Sequence, residues 1–269
     1  MSKICFIGTG NMAEAIIKGI LNAKVFASDD IIASDTNEQR IEYIQSKYMI
    51  RTTKNEPYII NKADIIVLAV KPQSLPAMMK DLSSYFSKDA LIISILAGTT
   101  IKTIEEHFSG KTKIARIMPN LGAFIGKSVS ALCFNEHILK NDKTTVETIF
   151  KSIGYTHFCE EKDMDAVTAI SGSGPAYFFH FMEIFVESAI KLGMTKDQAF
   201  LFCLETIEGA FKLISLQTQS PKALREKVTS KGGTTEAALN YLDSNNFAQI
   251  LQSAITKAYD RSKELGDKC

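Results

Sequence analysis

Lys3-Ile4-Cys5-Phe6-Ile7-Gly8-Thr9-Gly10-Asn11-Met12-Ala13 stands near the start of the chain and decides its fold. The apolar run from Ile4 to Ile7 reads as a strand buried on both faces. Gly8, Gly10 and Ala13 then fit G-x-G-x-x-G/A. The residues from Asn11 to Ala23 carry Met12, Ala15, Ile16 and Ile20 on one helical stripe. A strand, a glycine turn and a helix in that order are the context in which this motif binds a dinucleotide. Gly8 permits the tight turn, Gly10 lets the backbone approach a pyrophosphate, and Ala13 allows close helix–strand packing. The helix N-terminus adds N–H groups and a positive dipole for the phosphates. Ile7, Gly8, Thr9, Gly10, Asn11, Met12 and Ala13 are the first candidate cofactor contacts.

Outward from this stretch, short β-branched runs alternate with helical patterns. Strands are expected at 3–7, 31–34, 64–70, 90–96, 113–117, 128–134 and 155–159. Helices are expected at 11–23, 37–47, 75–86, 101–108 and 143–152. This rhythm predicts a doubly wound, mostly parallel sheet of the Rossmann type. The pattern changes near Cys159. Beyond it only helices are expected, at 163–170, 175–192, 196–216, 221–228, 234–243 and 247–265. Pro175 suits a first helical turn and Thr195 an N-cap after Gly193. The expected organisation is an α/β dinucleotide-binding domain over 1–160 and an all-α domain over 161–269. No linker rich in Gly or Ser separates them, so they are expected to pack tightly.

The helices between 175 and 216 are apolar nearly all round, with Phe178, Phe179, Phe181, Phe185, Phe200, Phe202 and Phe211 among them. A domain of about 110 residues cannot bury all of this within itself. Two outcomes are open: core helices against the sheet domain, or an obligate homodimer with intertwined helices.

The composition is that of a globular protein: 269 residues, 45% hydrophobic, with Lys+Arg 31 against Asp+Glu 30 and a net charge of +1. Neither a basic field for nucleic acid nor an acidic tail is present. The five cysteines form no C-x-x-C pair and no zinc pattern, as expected of free thiols in a reducing compartment. No segment reaches the roughly 18 uninterrupted apolar residues of a membrane span, and the apolar start belongs to the first strand. The expected location is cytoplasmic.

The choice between NAD and NADP falls at Ser34-Asp35-Thr36-Asn37, with Arg40 one turn on. Asp35 can accept from a ribose 2′-OH and would repel a 2′-phosphate. It can equally turn away and cap the next helix. Ser34, Asn37 and Arg40 can instead surround a 2′-phosphate, with Arg40 as the charge-assisted donor. NADP(H) is slightly favoured, with NAD(H) also used. Ala69, Val70, Lys71 and Pro72 end a third strand, and Ala97 and Gly98 a fourth, where ligands bind in such sheets. Val228 to Thr235 is a second polar element. Its Gly232-Gly233-Thr234-Thr235 turn offers free N–H groups, two hydroxyls and a helix dipole to a small carboxylate. A purely structural role, with Thr234 or Thr235 capping the helix, is the alternative.

These motifs, together with Asn55, Met118-Pro119-Asn120 and Ser171-Gly172-Ser173-Gly174-Pro175-Ala176-Tyr177, resemble pyrroline-5-carboxylate reductase over the whole chain and in order. The resemblance implies a Rossmann domain and a helical dimerisation domain. It implies NAD(P)H-dependent reduction of L-1-pyrroline-5-carboxylate to L-proline, the last step of proline biosynthesis. It further implies a homodimer, with a ring of dimers such as a decamer as the higher assembly, and a partner subunit that donates the Gly-Gly-Thr-Thr turn. By the same resemblance Asn55 and Asn120 contact the cofactor. Ser230, Gly233, Thr234 and Thr235 bind the substrate, with Thr235 as the catalytic hydroxyl at the ring nitrogen and Glu161 nearby. An acid at Glu161 would favour an iminium, or serve only as an N-terminal helix charge. Three positions depart from the family pattern: Lys231 where a proline is common, Leu121-Gly122 where Thr-Pro is usual, and Lys227 where some members have asparagine.

No histidine or cysteine is required for this chemistry, which is mainly positioning around a cofactor that carries the hydride. A β-hydroxyacid dehydrogenase is the rival enzyme, but it needs a lysine where Phe178 stands. A non-catalytic NADP-sensing protein is the rival of another class, and the complete polar equipment of residues 230–235 speaks against it.

Overall fold

Eight strands form one sheet in the order β3-β2-β1-β4-β5-β6-β7-β8. The computed structural model describes residues 3–54, 57, 60–216 and 218–266; the candidate Asn55 lies outside them. The strands are β1 Ile4–Ile7, β2 Ile31–Ser34, β3 Arg51–Thr53, β4 Ile65–Leu68, β5 Leu91–Ser94, β6 Lys113–Met118, β7 Ser128–Phe134 and β8 Gly154–Phe158. The first six run parallel in the Rossmann order, with helical crossovers between most of them. The crossover and flanking helices are α1 Asn11–Asn22, α2 Glu38–Tyr48, α3 Leu75–Leu82, α4 Ile101–Glu105 and α5 Lys140–Lys151. β7 pairs with β6 antiparallel. A short connection through one 3₁₀ turn, Leu121–Ile125, joins them, and a parallel return would have needed a full crossover.

Period-two alternation within β1 divides the core. Ile4 and Phe6 enter one cluster with Ile16, Ile20 and Phe150. Cys5 and Ile7 enter the opposite one with Ile66, Leu68 and Met79. Every residue of β1, β2, β4 and β5 is buried, as a sheet covered on both faces requires. Each such large apolar side chain contributes about 1.5–3 kcal/mol relative to exposure.

The last strand ends at Phe158, close to where the sequence pattern changes. The expected single helix over 163–170 is instead a 3₁₀ turn at Glu161–Asp163, a one-turn α6 at Met164–Val167 and a widened π turn at Thr168–Gly172. The remaining helices are α7 Gly174–Lys191, α8 Lys196–Ser215, α9 Pro221–Lys227, α10 Thr234–Ser244 and α11 Phe247–Gly266. Thr195 caps α8 with a reciprocal bond from Gln198, as expected of its position.

The chain divides into two compact units. One ends at Pro175 and resumes at Lys257; the other is Ala176–Thr256. The first therefore runs past the boundary expected at 160 and takes in the end of α11. Within the second, Ala189, Ala199 and Cys203 are buried, with Met182 and Val186 packed on them. Phe178, Phe179, Phe181, Phe200, Phe202 and Phe211 are all exposed in the single chain. Among the described residues no helix is long and apolar enough to cross a membrane.

Candidate active site

The glycine loop is held from three sides, and its two glycines do different work. Gly8 has φ +95°, and a Cβ built on it would lie 2.6 Å from the carbonyl oxygen of Ala69 and 3.0 Å from the Val70 nitrogen. Gly8 is thus glycine because the end of β4 passes against it. Its N–H donates to the Ser34 carbonyl at 2.8 Å. A Cβ on Gly10 would meet nothing within 4 Å. Gly10 is the N-cap of α1 and has no side-chain cap, so the N–H groups of Asn11, Met12 and Ala13 have no intrahelical partner. Open space over Gly10 beside unsatisfied N–H groups suits a diphosphate.

Asp35 is anchored within the loop and at the start of α2. One carboxylate oxygen accepts the Thr9 N–H at 2.7 Å and the Thr9 hydroxyl at 2.8 Å, and the other accepts the Asn37 N–H at 2.9 Å. Burial raises the Asp35 carboxyl, but the N–H groups of Asn37 and Thr9 and the Thr9 hydroxyl outweigh it and hold the group below the usual range. Asn37 caps α2 by accepting the Arg40 N–H at 3.2 Å. Ser34 is fully buried, and its hydroxyl has no partner among the described residues. Of the four residues expected at the 2′ position, Arg40 is the one that keeps a charged donor unused. Its Nε donates to the Thr9 carbonyl at 2.5 Å, Nη2 pairs with Glu14, and Nη1 has no partner among the described residues.

Glu14 is the residue that sequence reading missed. It is 4% exposed and accepts from Arg40, from Lys47 at 3.0 Å, from Tyr48 at 2.8 Å and from Tyr43 at 3.1 Å. Burial pushes its carboxyl up, and these four donors override that and hold it down at about 2. The ordinary value is 4.5, so the bonds stabilise the fold above about pH 4.5 and are lost as pH falls toward 2. Discounted for solvent screening, the effect is about 1–2 kcal/mol. Unfolding free energies measured from pH 5 to pH 2 should fall more steeply for the natural protein than for Glu14→Gln. Parallel curves would contradict the assignment.

Ala69, Val70 and Pro72 are half-buried at the end of β4, while Lys71 is exposed. Gly98 has φ +77°, and its missing side chain is replaced by the backbone of α11: a Cβ would lie 2.5 Å from the Ser262 carbonyl oxygen. The room that glycine leaves at this position is taken up by α11, so what Gly98 can offer a cofactor is its backbone. Asn120 joins two motifs, donating its side-chain amide to the Ser171 hydroxyl at 3.1 Å and accepting the Gly122 N–H at 3.1 Å. Gly122, one of the departures noted above, is needed because a Cβ there would lie 2.6 Å from the Lys127 carbonyl oxygen. Glu161 spends one oxygen on the Ile101 N–H at 2.6 Å and on the buried Arg116 at 3.1 Å. It is tied to the start of α4.

The second polar element lies in the other unit. Gly232 has φ +73°, and Gly233 is the N-cap of α10 without a side-chain cap. Thr234 and Thr235 therefore occupy the first turn and do not cap it. Neither hydroxyl has a partner among the described residues. The Gly233 N–H, expected to hold a carboxylate, instead closes the turn on the Ser230 carbonyl at 3.0 Å. The Gly232 N–H is taken by Glu236 at 2.7 Å. The N–H groups left over are those of Thr234, Thr235 and Glu236, since the Ala237 N–H begins the intrahelical ladder on the Gly233 carbonyl. Glu236 lies in the first turn of α10, where an acid suits the helix dipole. Thr235 is half-buried and Thr234 exposed.

Comparison with known proteins bears on both elements. Residues 161–265 match the family model described as pyrroline-5-carboxylate reductase dimerisation. Residues 3–98 match the one described as NADP oxidoreductase, coenzyme F420-dependent. Pyrroline-5-carboxylate reductase 2 of Bacillus subtilis is 36% identical over 269 residues, covering 100% of this chain and 96% of that protein. The crystal structure of pyrroline carboxylate reductase from Plasmodium falciparum, with NADP bound, aligns with a TM-score of 0.91 at 30% identity, covering 98% of each chain. The structure of a pyrroline-5-carboxylate reductase from Coxiella burnetii aligns with a TM-score of 0.84 at 34% identity and the same coverage.

Proposed function

The chain belongs to the pyrroline-5-carboxylate reductase family, and from that premise we propose that it reduces the C=N bond of L-1-pyrroline-5-carboxylate to give L-proline, with NADPH as the preferred cofactor and NADH as a second one. The observation that carries the reading is that two elements are each left open in the way this reaction needs. The glycine loop has free space over Gly10. The turn at 230–235 has free N–H groups and two unspent threonine hydroxyls.

When bound, NADPH supplies the hydride, which goes to the imine carbon, while the ring nitrogen carries the proton and becomes the secondary amine. The chain's own part is to bind and orient. The N–H groups of Asn11, Met12 and Ala13 hold the diphosphate at the N-terminus of α1. Arg40 Nη1 meets the 2′-phosphate, with the Thr9 carbonyl and Glu14 fixing the side chain in place. Thr9, Ser34, Asp35 and Asn37 act by shaping the loop, and Ala69 to Pro72, Ala97, Gly98 and Asn120 border the cofactor. Thr234 and Thr235 give their N–H groups to the substrate carboxylate, with Ser230 and Gly233 setting the turn. The Thr235 hydroxyl bonds the ring nitrogen. Glu161 acts indirectly, through the start of α4 and Arg116.

Residues 161–269 form the dimerisation and substrate domain in this reading. The exposed phenylalanines of α7 and α8 are then covered by a second copy of the chain, whose turn completes the site. Rings of such dimers and a cytoplasmic location complete the reading.

Thr235→Val tests the chemical assignment, because it keeps shape and β-branching but removes the hydroxyl. A transition-state contact lowers kcat along with kcat/KM, whereas a uniform binding contact raises KM alone. The expected loss is in kcat, about tenfold, at the upper end of a neutral hydrogen bond of about 0.5–1.5 kcal/mol and below a full acid–base role of about 10²–10⁴-fold. The substrate can bind already protonated, and a threonine hydroxyl is a weak acid. Unchanged kcat and KM in a variant of natural thermal stability would remove Thr235 from the site.

A further inference from the structure

We propose that the C-terminal end of α11 is a positioning element for hydride transfer, acting by gripping the loop after β5 at two points. The inference rests on reading Ala97 and Gly98 as the nicotinamide-side contacts. The first grip is backbone on backbone. A Cβ on Gly98 would lie 2.5 Å from the Ser262 carbonyl oxygen and 2.8 Å from Leu265 Cβ, and a Cβ on Gly266 would lie 2.6 Å from the Gly98 carbonyl oxygen. Two glycines thus face each other, and neither the loop nor the helix end can move toward the other without a backbone clash.

The second grip is a part-buried polar relay from the same helix end. The Ser262 hydroxyl, on a residue 2% exposed, donates to Asp165 Oδ1 at 2.7 Å. That oxygen also faces Arg116 Nη2 at 3.5 Å. Arg116 Nη1 donates to Glu161 Oε1 at 3.1 Å, and this oxygen accepts the N–H of Ile101 at 2.6 Å. Ile101 is the first residue of α4, just beyond Gly98, and Thr100 caps that helix. The loop is therefore fixed at Gly98 by the α11 backbone and at Ile101 by the relay. Arg116 is 3% exposed, and a buried ion pair is costly to break by removing one partner, so the relay holds as a unit. Contact between side chains tolerates drift. Contact between two backbones holds a carbonyl within the sub-ångström tolerance that hydride transfer demands.

The test is the single-turnover rate constant of NADPH oxidation by full-length Gly266→Ala and Ser262→Ala with saturating pyrroline-5-carboxylate, beside equilibrium NADPH affinity. A rate constant is insensitive to the fraction of protein that folds, so a merely structural role does not move it. Gly266→Ala should lower it about tenfold, the scale at which sub-ångström displacements act. Ser262→Ala should lower it about threefold, with NADPH affinity within threefold of the natural protein in both, because the diphosphate is held elsewhere. Natural rate constants in both variants would overturn the proposal. If Gly266→Ala does not fold, Ser262→Ala decides alone. Failure of the natural protein to oxidise NADPH would instead remove the functional reading, and this proposal with it.

Discussion

Gly8→Ala should lose both stability and cofactor binding, whereas Gly10→Ala should lose cofactor binding alone. At Gly8 the backbone is left-handed, at φ +95°, and the new methyl would sit 2.6 Å from a carbonyl oxygen of β4. No flexible side chain is there to give way, so β1 and β4 must separate or the loop must rebuild. The expected destabilisation is about 2–4 kcal/mol, combining the conformational penalty with the clash. NADPH affinity should fall more than about tenfold because the rebuilt loop no longer presents the first turn of α1. Gly10 has φ −60°, which alanine adopts freely, and nothing lies near its Cβ position. Its melting temperature should stay close to the natural one, while the methyl intrudes where the diphosphate lies. Denaturant unfolding and NADPH titration on the two variants separate the effects. A Gly10→Ala protein that binds NADPH normally would move the diphosphate away from this loop.

Arg40→Ala should weaken NADPH more than NADH, by about 1.5–3 kcal/mol, or about tenfold and upward. The difference between cofactors is the informative quantity. Arg40 also holds the Thr9 carbonyl and Glu14, so truncation disturbs the loop for both cofactors alike. That common effect cancels in the ratio, leaving the contact with the 2′-phosphate. Asp35 does not oppose this contact strongly, because its charge is absorbed by three donors from Thr9 and Asn37. Equal losses for both cofactors would show that Arg40 holds the loop and does not read the phosphate.

The features legible in the sequence are those set by neighbours along the chain. β2 and β7 fall within their expected limits because apolar runs bounded by polar turns leave little choice. The G-x-G-x-x-A loop, the Thr195 N-cap and the Gly-Gly-Thr-Thr helix start are equally local. β3 escaped notice because Arg51, Thr52 and Thr53 carry no apolar pattern and pair only at the sheet edge. The π turn at Thr168–Gly172 looks like ordinary helix by period. What sequence cannot supply is partnership across the chain. Glu14 reads as a polar residue on a helix, yet four donors from the next helix surround it. Gly98 reads as a glycine set by a ligand, yet the neighbours that require glycine there are Ser262 and Leu265.

The measurement closest to the central claim is the initial rate of NADPH oxidation by the purified full-length protein at neutral pH, with and without L-1-pyrroline-5-carboxylate, with proline quantified in the same mixture. The reading requires substrate-dependent oxidation, with one proline formed for each NADPH consumed. Folded protein that binds NADPH yet shows no substrate-dependent oxidation, with either NADPH or NADH, would contradict it.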